Sequence, residues 1–207
     1  MRAHVRAPTR RSHLTAAVHA PLTFADRFAT SRSRSIAIVT GFALLTALAA
    51  QISFHIPWTP VPITGQTFAV LLSGAALGLR RGAASQALYV TLGAIGLPFY
   101  ASGDGGWSAA TGATAGYLVG FVLAAAVVGA LAERRHDRTL LTSVPAMLTG
   151  TAVIYLCGAW WLAHDLHVSA AKAVEFGITP FIIGDAIKLV VAGAALPAAW
   201  KLVKHAD

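Results

Sequence analysis

Residues Phe176–Val203 read FGITPFIIGDAIKLVVAGAALPAAWKLV, and before Lys201 the only ionisable side chains in the run are Asp185 and Lys188. An apolar run of this length predicts a helix that crosses a membrane. An ionisable group at bilayer depth costs about 2.5–3.5 kcal/mol on insertion scales, so a retained pair calls for a use. The i, i+3 spacing puts both side chains on one helix face, close enough to pair. One reading is a polar ligand site facing a bundle interior. The other is an ion pair that only orients the helix.

The rest of the chain fits the membrane reading. Of its 207 residues, 56% are hydrophobic and 12% charged, with a mean hydropathy of +0.65. Length and composition predict one integral membrane domain. Apolar segments at 35–54, 65–79, 82–99, 116–132 and 140–162 precede the last one, so the expected fold is all-α with six transmembrane helices. The second segment is short for a crossing. Six spans put both termini on one side. Of the 16 lysines and arginines, all but Lys172 and Lys188 then fall on that side. The positive-inside rule makes it the cytoplasmic face of the cell membrane. The same one-sided placement argues against nucleic acid as the partner of a chain with net charge +8.

Residues 1–34 are expected to form a basic, disordered cytoplasmic arm able to touch anionic lipid, with the membrane domain at 35–207. No apolar run of signal-peptide length follows Arg2, Arg6, Arg10 and Arg11. The single cysteine, Cys157, sits mid-span and reads as a packing residue.

Two loops on the opposite face carry unusual composition. The first, with its flanks, reads QISFHIPWTPVPITGQT over Gln51–Thr67. Pro57, Pro60 and Pro62 fix φ and remove donors, which predicts a stiff, extended cap. The second, LPFYASGDGGWSAATGATAGY over Leu97–Tyr117, is rich in glycine. Gly103, Gly105 and Gly106 permit close backbone approach, and Trp107 and Tyr117 offer flat apolar faces with a polar edge. Together the loops read as a roof over a small-molecule site. The glycines are not a phosphate loop, because no Lys-Ser/Thr follows them.

In order, QISFHIPWTPVPITGQT, GLRRGAASQALY (78–89), LGAIGLPFY (92–100), TAGYLVGF (114–121) and TPFIIGDAIK (179–188) resemble the BioY family. These proteins are the biotin-specific substrate-binding (S) components of energy-coupling factor transporters. The resemblance runs from about Gly41 to Lys188. It implies a six-helix S-component bundle that captures biotin from outside, with a membrane T component and two ATPases as partners, or a homo-oligomer if the protein works alone. It implies that Asp185 and Lys188, the matches to the family's GDxxK stretch, contact the ligand. It also implies that the small-residue face of the first helix, here Ala43 and Ala47, docks the T component.

The chemistry of the residues agrees with that expectation. Biotin carries a ureido ring, an apolar fused ring and a valeryl carboxylate. Asp185 can accept from ureido N–H groups, and Lys188 can meet either the ureido oxygen or the carboxylate. Tyr89, Trp107 or Phe99 can pack on the bicyclic ring, and Gln51 and Gln66, flanking the stiff loop, can reach ligand or cap. No cofactor, metal ion or catalytic residue is expected. The alternatives are an S component for another vitamin, or an intramembrane metal-dependent enzyme built on His164 and His167. Two histidines fall short of the three or four protein ligands a zinc site normally needs.

Overall fold

The computed structural model describes residues 23–204. Most of the expected arm, residues 1–22, lies outside the described residues. Of its last part, Phe24–Arg27 form a 3-10 turn, and helix α1 (Arg32–Gln51) starts at Arg32. The side chain of Ser31 accepts from the backbone N–H of Arg34, which satisfies one of the free donors at that helix start.

Beyond α1 the helices are α2 (Gln66–Leu77), α3 (Leu79–Ala94), the short α4 (Trp107–Thr111), α5 (Ala115–Glu133), α6 (Leu140–Asp165), α7 (Ala170–Gly177) and α8 (Ile182–Lys204). In hydrocarbon every backbone donor and acceptor must find a partner within the chain, and a helix satisfies that requirement residue by residue. The stretches 32–51, 115–133, 140–165 and 170–202 are long and apolar enough to cross a membrane. With α2 and α3 they make the six expected segments. At 12 residues, α2 spans only about 18 Å. It is tolerated because it is shielded by protein, packing on α1, α3, α5 and α8.

The last span begins later than expected. Thr179 and Pro180 interrupt the run that starts at Phe176. Residues Thr179–Phe181 form a 3-10 turn, and α8 proper starts at Ile182. Proline cannot donate to the preceding turn, which explains why α7 and α8 are separate helices. One consequence is that Asp185 lies in the first turn of α8, where the helix dipole favours a negative charge.

Helix α5 is the centre of the bundle, packing on α2, α3 and α6. Leu71, Val128, Met147 and Ile154 form the fully buried middle of the core. Lipid gives little hydrophobic drive for helices to associate, so close van der Waals contact has to hold them together. At Gly74 a Cβ would sit 2.6 Å from the carbonyl oxygen of Ala125. The α2–α5 crossing therefore requires glycine there. Gly78, at φ +84°, turns the chain from α2 into α3, and the first N–H of α3, Leu79, donates to Glu133 Oε1 at 2.9 Å.

Ala43 and Ala47 are buried in this core, and α1 packs against α2 and α3. Their small side chains serve the chain's own bundle, so the expected docking face is already covered. The bare side of α1 carries Leu44 and Leu48 instead.

Both ends of the described chain lie at the arginine-rich end of the bundle. Trp200 of α8 meets Phe24 edge-on, with ring centroids 5.3 Å apart, and its ring lies under the Arg138 guanidinium at 3.4 Å.

Candidate functional site

The opposite end of the bundle opens into a cleft with a cavity volume of about 80 Å³. Its deep wall is polar. Lys188 Nζ donates to Asp185 Oδ1 at 2.8 Å and to the carbonyl of Thr64 at 2.5 Å. Asp185 Oδ1 also accepts from Thr67 Oγ1 at 3.0 Å, and Oδ2 accepts from Tyr155 Oη at 2.8 Å. The Asp185 side chain is 6% exposed and that of Lys188 21%. Asp185 is thus fixed from three elements, and Lys188 keeps the more open side of the pair toward the cleft.

Gln66 and Thr114 add polar groups, and the rest of the lining is mostly apolar or aromatic, with Val61, Pro62, Leu118, Phe121, Ile154 and Phe181 beside Tyr100 and Tyr117. Tyr117 Oη donates to the carbonyl of Gly177 at 2.7 Å, which pins the end of α7 to α5. A carboxylate and an ammonium set in an apolar wall suit a ligand with a polar head that both donates and accepts, joined to an apolar body.

The cap loops are held to one another. Residues 52–65 form a small antiparallel hairpin, with β1 (Ser53–Phe54) paired to β2 (Ile63–Thr64). Ser53 Oγ and Ser102 Oγ lie 2.6 Å apart across the two loops, and Thr59 Oγ1 donates to the carbonyl of Phe176 at 2.7 Å. An outer vestibule of about 260 Å³ includes Pro60, His55 and Asp104. It shares Pro62, Tyr100, Ala101 and Thr114 with the cleft.

The structure brings some of the expected site residues to the cleft and moves others away. Asp185, Lys188 and Gln66 line it, and so does Pro62 from the cap. Tyr89 does not. It is fully buried behind Gln66, whose amide donates to the Tyr89 hydroxyl, and its ring stacks on Phe99 and meets Tyr100 edge-on. Gln51 is a strut, with Nε2 reaching the carbonyls of Ala47, Pro98 and Tyr100. Trp107 is 74% exposed; it begins a five-residue helix that turns its ring outward. Pro57 is exposed, and Gly103, Gly105 and Gly106 shape their loop without lining the cleft. Gly106 sits at φ +92°, and its N–H donates to the carbonyl of Gly93 at 2.7 Å. From this loop the cleft wall takes Tyr100 and Ala101.

The sequence does not single out Thr64, Thr67 or Tyr155, whereas Tyr117, expected in the roof with Trp107, does line the cleft. The available signal was weak: a tyrosine hydroxyl inside a span needs a polar partner, and the nearest unassigned carboxylate was Asp185. His164 and His167 lie at the exposed outer end of α6. Their rings are 6.5 Å apart and stack toward Trp160, outside the cleft lining.

Comparison with known proteins gives a consistent result. The profile of the BioY family matches residues 19–205. "Biotin transporter BioY" of Thermotoga maritima is 42% identical over 151 residues, covering 73% of this chain and 86% of the relative. The "Probable biotin transporter BioY" of Pyrococcus horikoshii is 38% identical, covering 78% and 93%. "Biotin transporter BioY" of Rhodobacter capsulatus is 40% identical, covering 75% and 88%. Among solved structures, the S-component for biotin from an ECF-type ABC transporter superposes with a TM-score of 0.76 at 21% identity, over 82% of this chain and 92% of that one. At that identity the superposition speaks for the fold.

Proposed function

This chain belongs to the BioY family, and from that premise we propose that it binds biotin and takes it up as the substrate-specific component of an energy-coupling-factor-type transporter, not as an enzyme. The observation that carries the reading is the Asp185–Lys188 pair in the wall of a cleft whose other lining residues are all uncharged. A carboxylate held by Thr67, Tyr155 and Lys188 is an acceptor already aimed, so little ordering remains when ureido N–H groups arrive. Lys188 supplies a charge-assisted donor beside it. Phe121, Phe181 and Tyr117 offer apolar surface for the fused ring.

The location follows from the same reading. With the arginine-rich end on the cytoplasmic side, the cleft faces outward from the cytoplasmic membrane and loads biotin there. No ATP-binding motif occurs in the sequence, so any ATP energy comes from other chains, and family membership points to a T component and two ATPases as those chains. The direct test is calorimetric titration of the purified full-length protein with biotin, with riboflavin and thiamine as comparators. Tight, selective heat for biotin is expected. Equal or tighter binding of another vitamin would move the assignment to that ligand.

A further inference from the structure

The arginine-rich end has more positive charge than its own carboxylates can use. Asp26 pairs with Arg81 at 2.6 Å. Glu133 accepts from the N–H of Leu79. Asp137 is 2% exposed and is bonded by Trp200 and Arg138. All three carboxylates at this end among the described residues therefore already have partners within the chain. Arg32, Arg34, Arg80, Arg134 and Arg135 remain exposed.

These arginines belong to one patch. Arg81 Nε donates to Ser35 Oγ at 3.0 Å, joining the start of α3 to the start of α1. The Leu79–Glu133 bond joins the start of α3 to the end of α5. Arg134 and Arg135 follow at once, with Arg135 at φ +67° in the turn. Just inside the patch, Ile36 (59% exposed) and Leu79 (39% exposed) leave the bundle as apolar side chains. Exposed guanidinium groups beside bare aliphatic surface match a ligand that has an acidic head and an acyl tail. A soluble phosphate matches only the upper half of that pattern.

We propose that the Arg34–Arg80–Arg134–Arg135 patch is a binding surface for anionic phospholipid. The headgroup lies on the guanidinium groups and the acyl chains lie along Ile36 and Leu79. This use of the arginine-rich end is separate from the cleft and does not depend on what the cleft binds.

The test uses the full-length protein in detergent, exposed to equimolar phosphatidylglycerol and phosphatidylcholine, with retained lipid counted by native mass spectrometry. Phosphatidylglycerol should be retained in preference. The triple variant Arg80→Gln, Arg134→Gln, Arg135→Gln should lose that preference by about tenfold or more, since each basic side chain near an anionic surface contributes several-fold. Biotin titration should be unchanged and serves as the check that the variant is folded. If that variant does not fold, the wild type at rising salt takes its place, and selectivity should fall as the charges are screened. Equal retention of the two lipids overturns the proposal, as does selectivity that survives the triple change or high salt. Displacement of the lipid by millimolar inorganic phosphate overturns it as well, because the patch would then read phosphate alone.

Discussion

Asp185 has three donors on two oxygens, and each can be removed separately. Asp185→Asn and Lys188→Met should each weaken biotin binding by at least about 2 kcal/mol, roughly thirtyfold, because the remaining partner is left buried and unmatched. The double variant should cost less in folding than the sum of the singles, since no lone charge remains. Tyr155→Phe removes one neutral donor and should cost about 1 kcal/mol in affinity, while Trp107→Ala, on an exposed ring, should leave it unchanged. Calorimetry on thermally stable preparations reads all four. Retained affinity in both single charge variants would sink the assignment of the cleft. At this scale the sequence was most informative about charge, with Gln66 and Pro62 as uncharged residues it also brought to the cleft. Asp185 and Lys188 stand out in an apolar run, but Thr67 and Tyr155 are ordinary residues in spans. Their role rests on contacts 118 and 30 residues away along the chain, which no local pattern encodes.

The helices were legible from their apolar lengths, and what they touch was not. Ala43 and Ala47 announce a close helix approach, but the spacing is silent about whether the neighbour is α3 of the same chain or another protein. The break at Thr179–Pro180 was visible as a proline, yet the continuous apolar run around it read as one helix. Two predictions belong to this scale. Gly74→Val places side-chain atoms against the backbone of Ala125 and should lower the melting temperature markedly, as overpacking by even one or two methyls typically costs about 1–3 kcal/mol. In the cap, valine at Gly105 and Gly106 should loosen the loop and raise the biotin dissociation rate. Gly106 lies in the left-handed region that valine avoids, and a Cβ at Gly105 would meet the Leu97 carbonyl. Stopped-flow or surface-capture kinetics with unaltered on- and off-rates would reduce these loops to plain connectors.

For the whole molecule, the arginine-rich end should respond to acid in two opposite ways. Burial holds Asp137 above its ordinary value of 3.8, against the pull of Trp200 and Arg138. The folded state then keeps its proton more tightly than the unfolded state, and stability rises as pH falls toward 4. For Asp26 burial also raises the pKa, but the bonds from Arg81 and Thr23 outweigh it and the net shift is downward. Its contribution is complete above 3.8 and is lost as pH falls through the lowered folded value. Thermal melts from pH 7 to 3 should show the first trend disappear in Asp137→Asn and the second in Asp26→Asn.

The bond from Lys188 to the Thr64 carbonyl joins positions 124 apart in a chain of 207, and this bears on synthesis. A ribosome that has delivered every helix through α6 has made the hairpin, the tyrosines and most of the cleft wall. Neither the carboxylate nor the ammonium yet exists. The site is completed only when the last helix enters the membrane. A chain arrested before Ile182 should therefore insert but capture no biotin, and the ligand can select only for finished molecules.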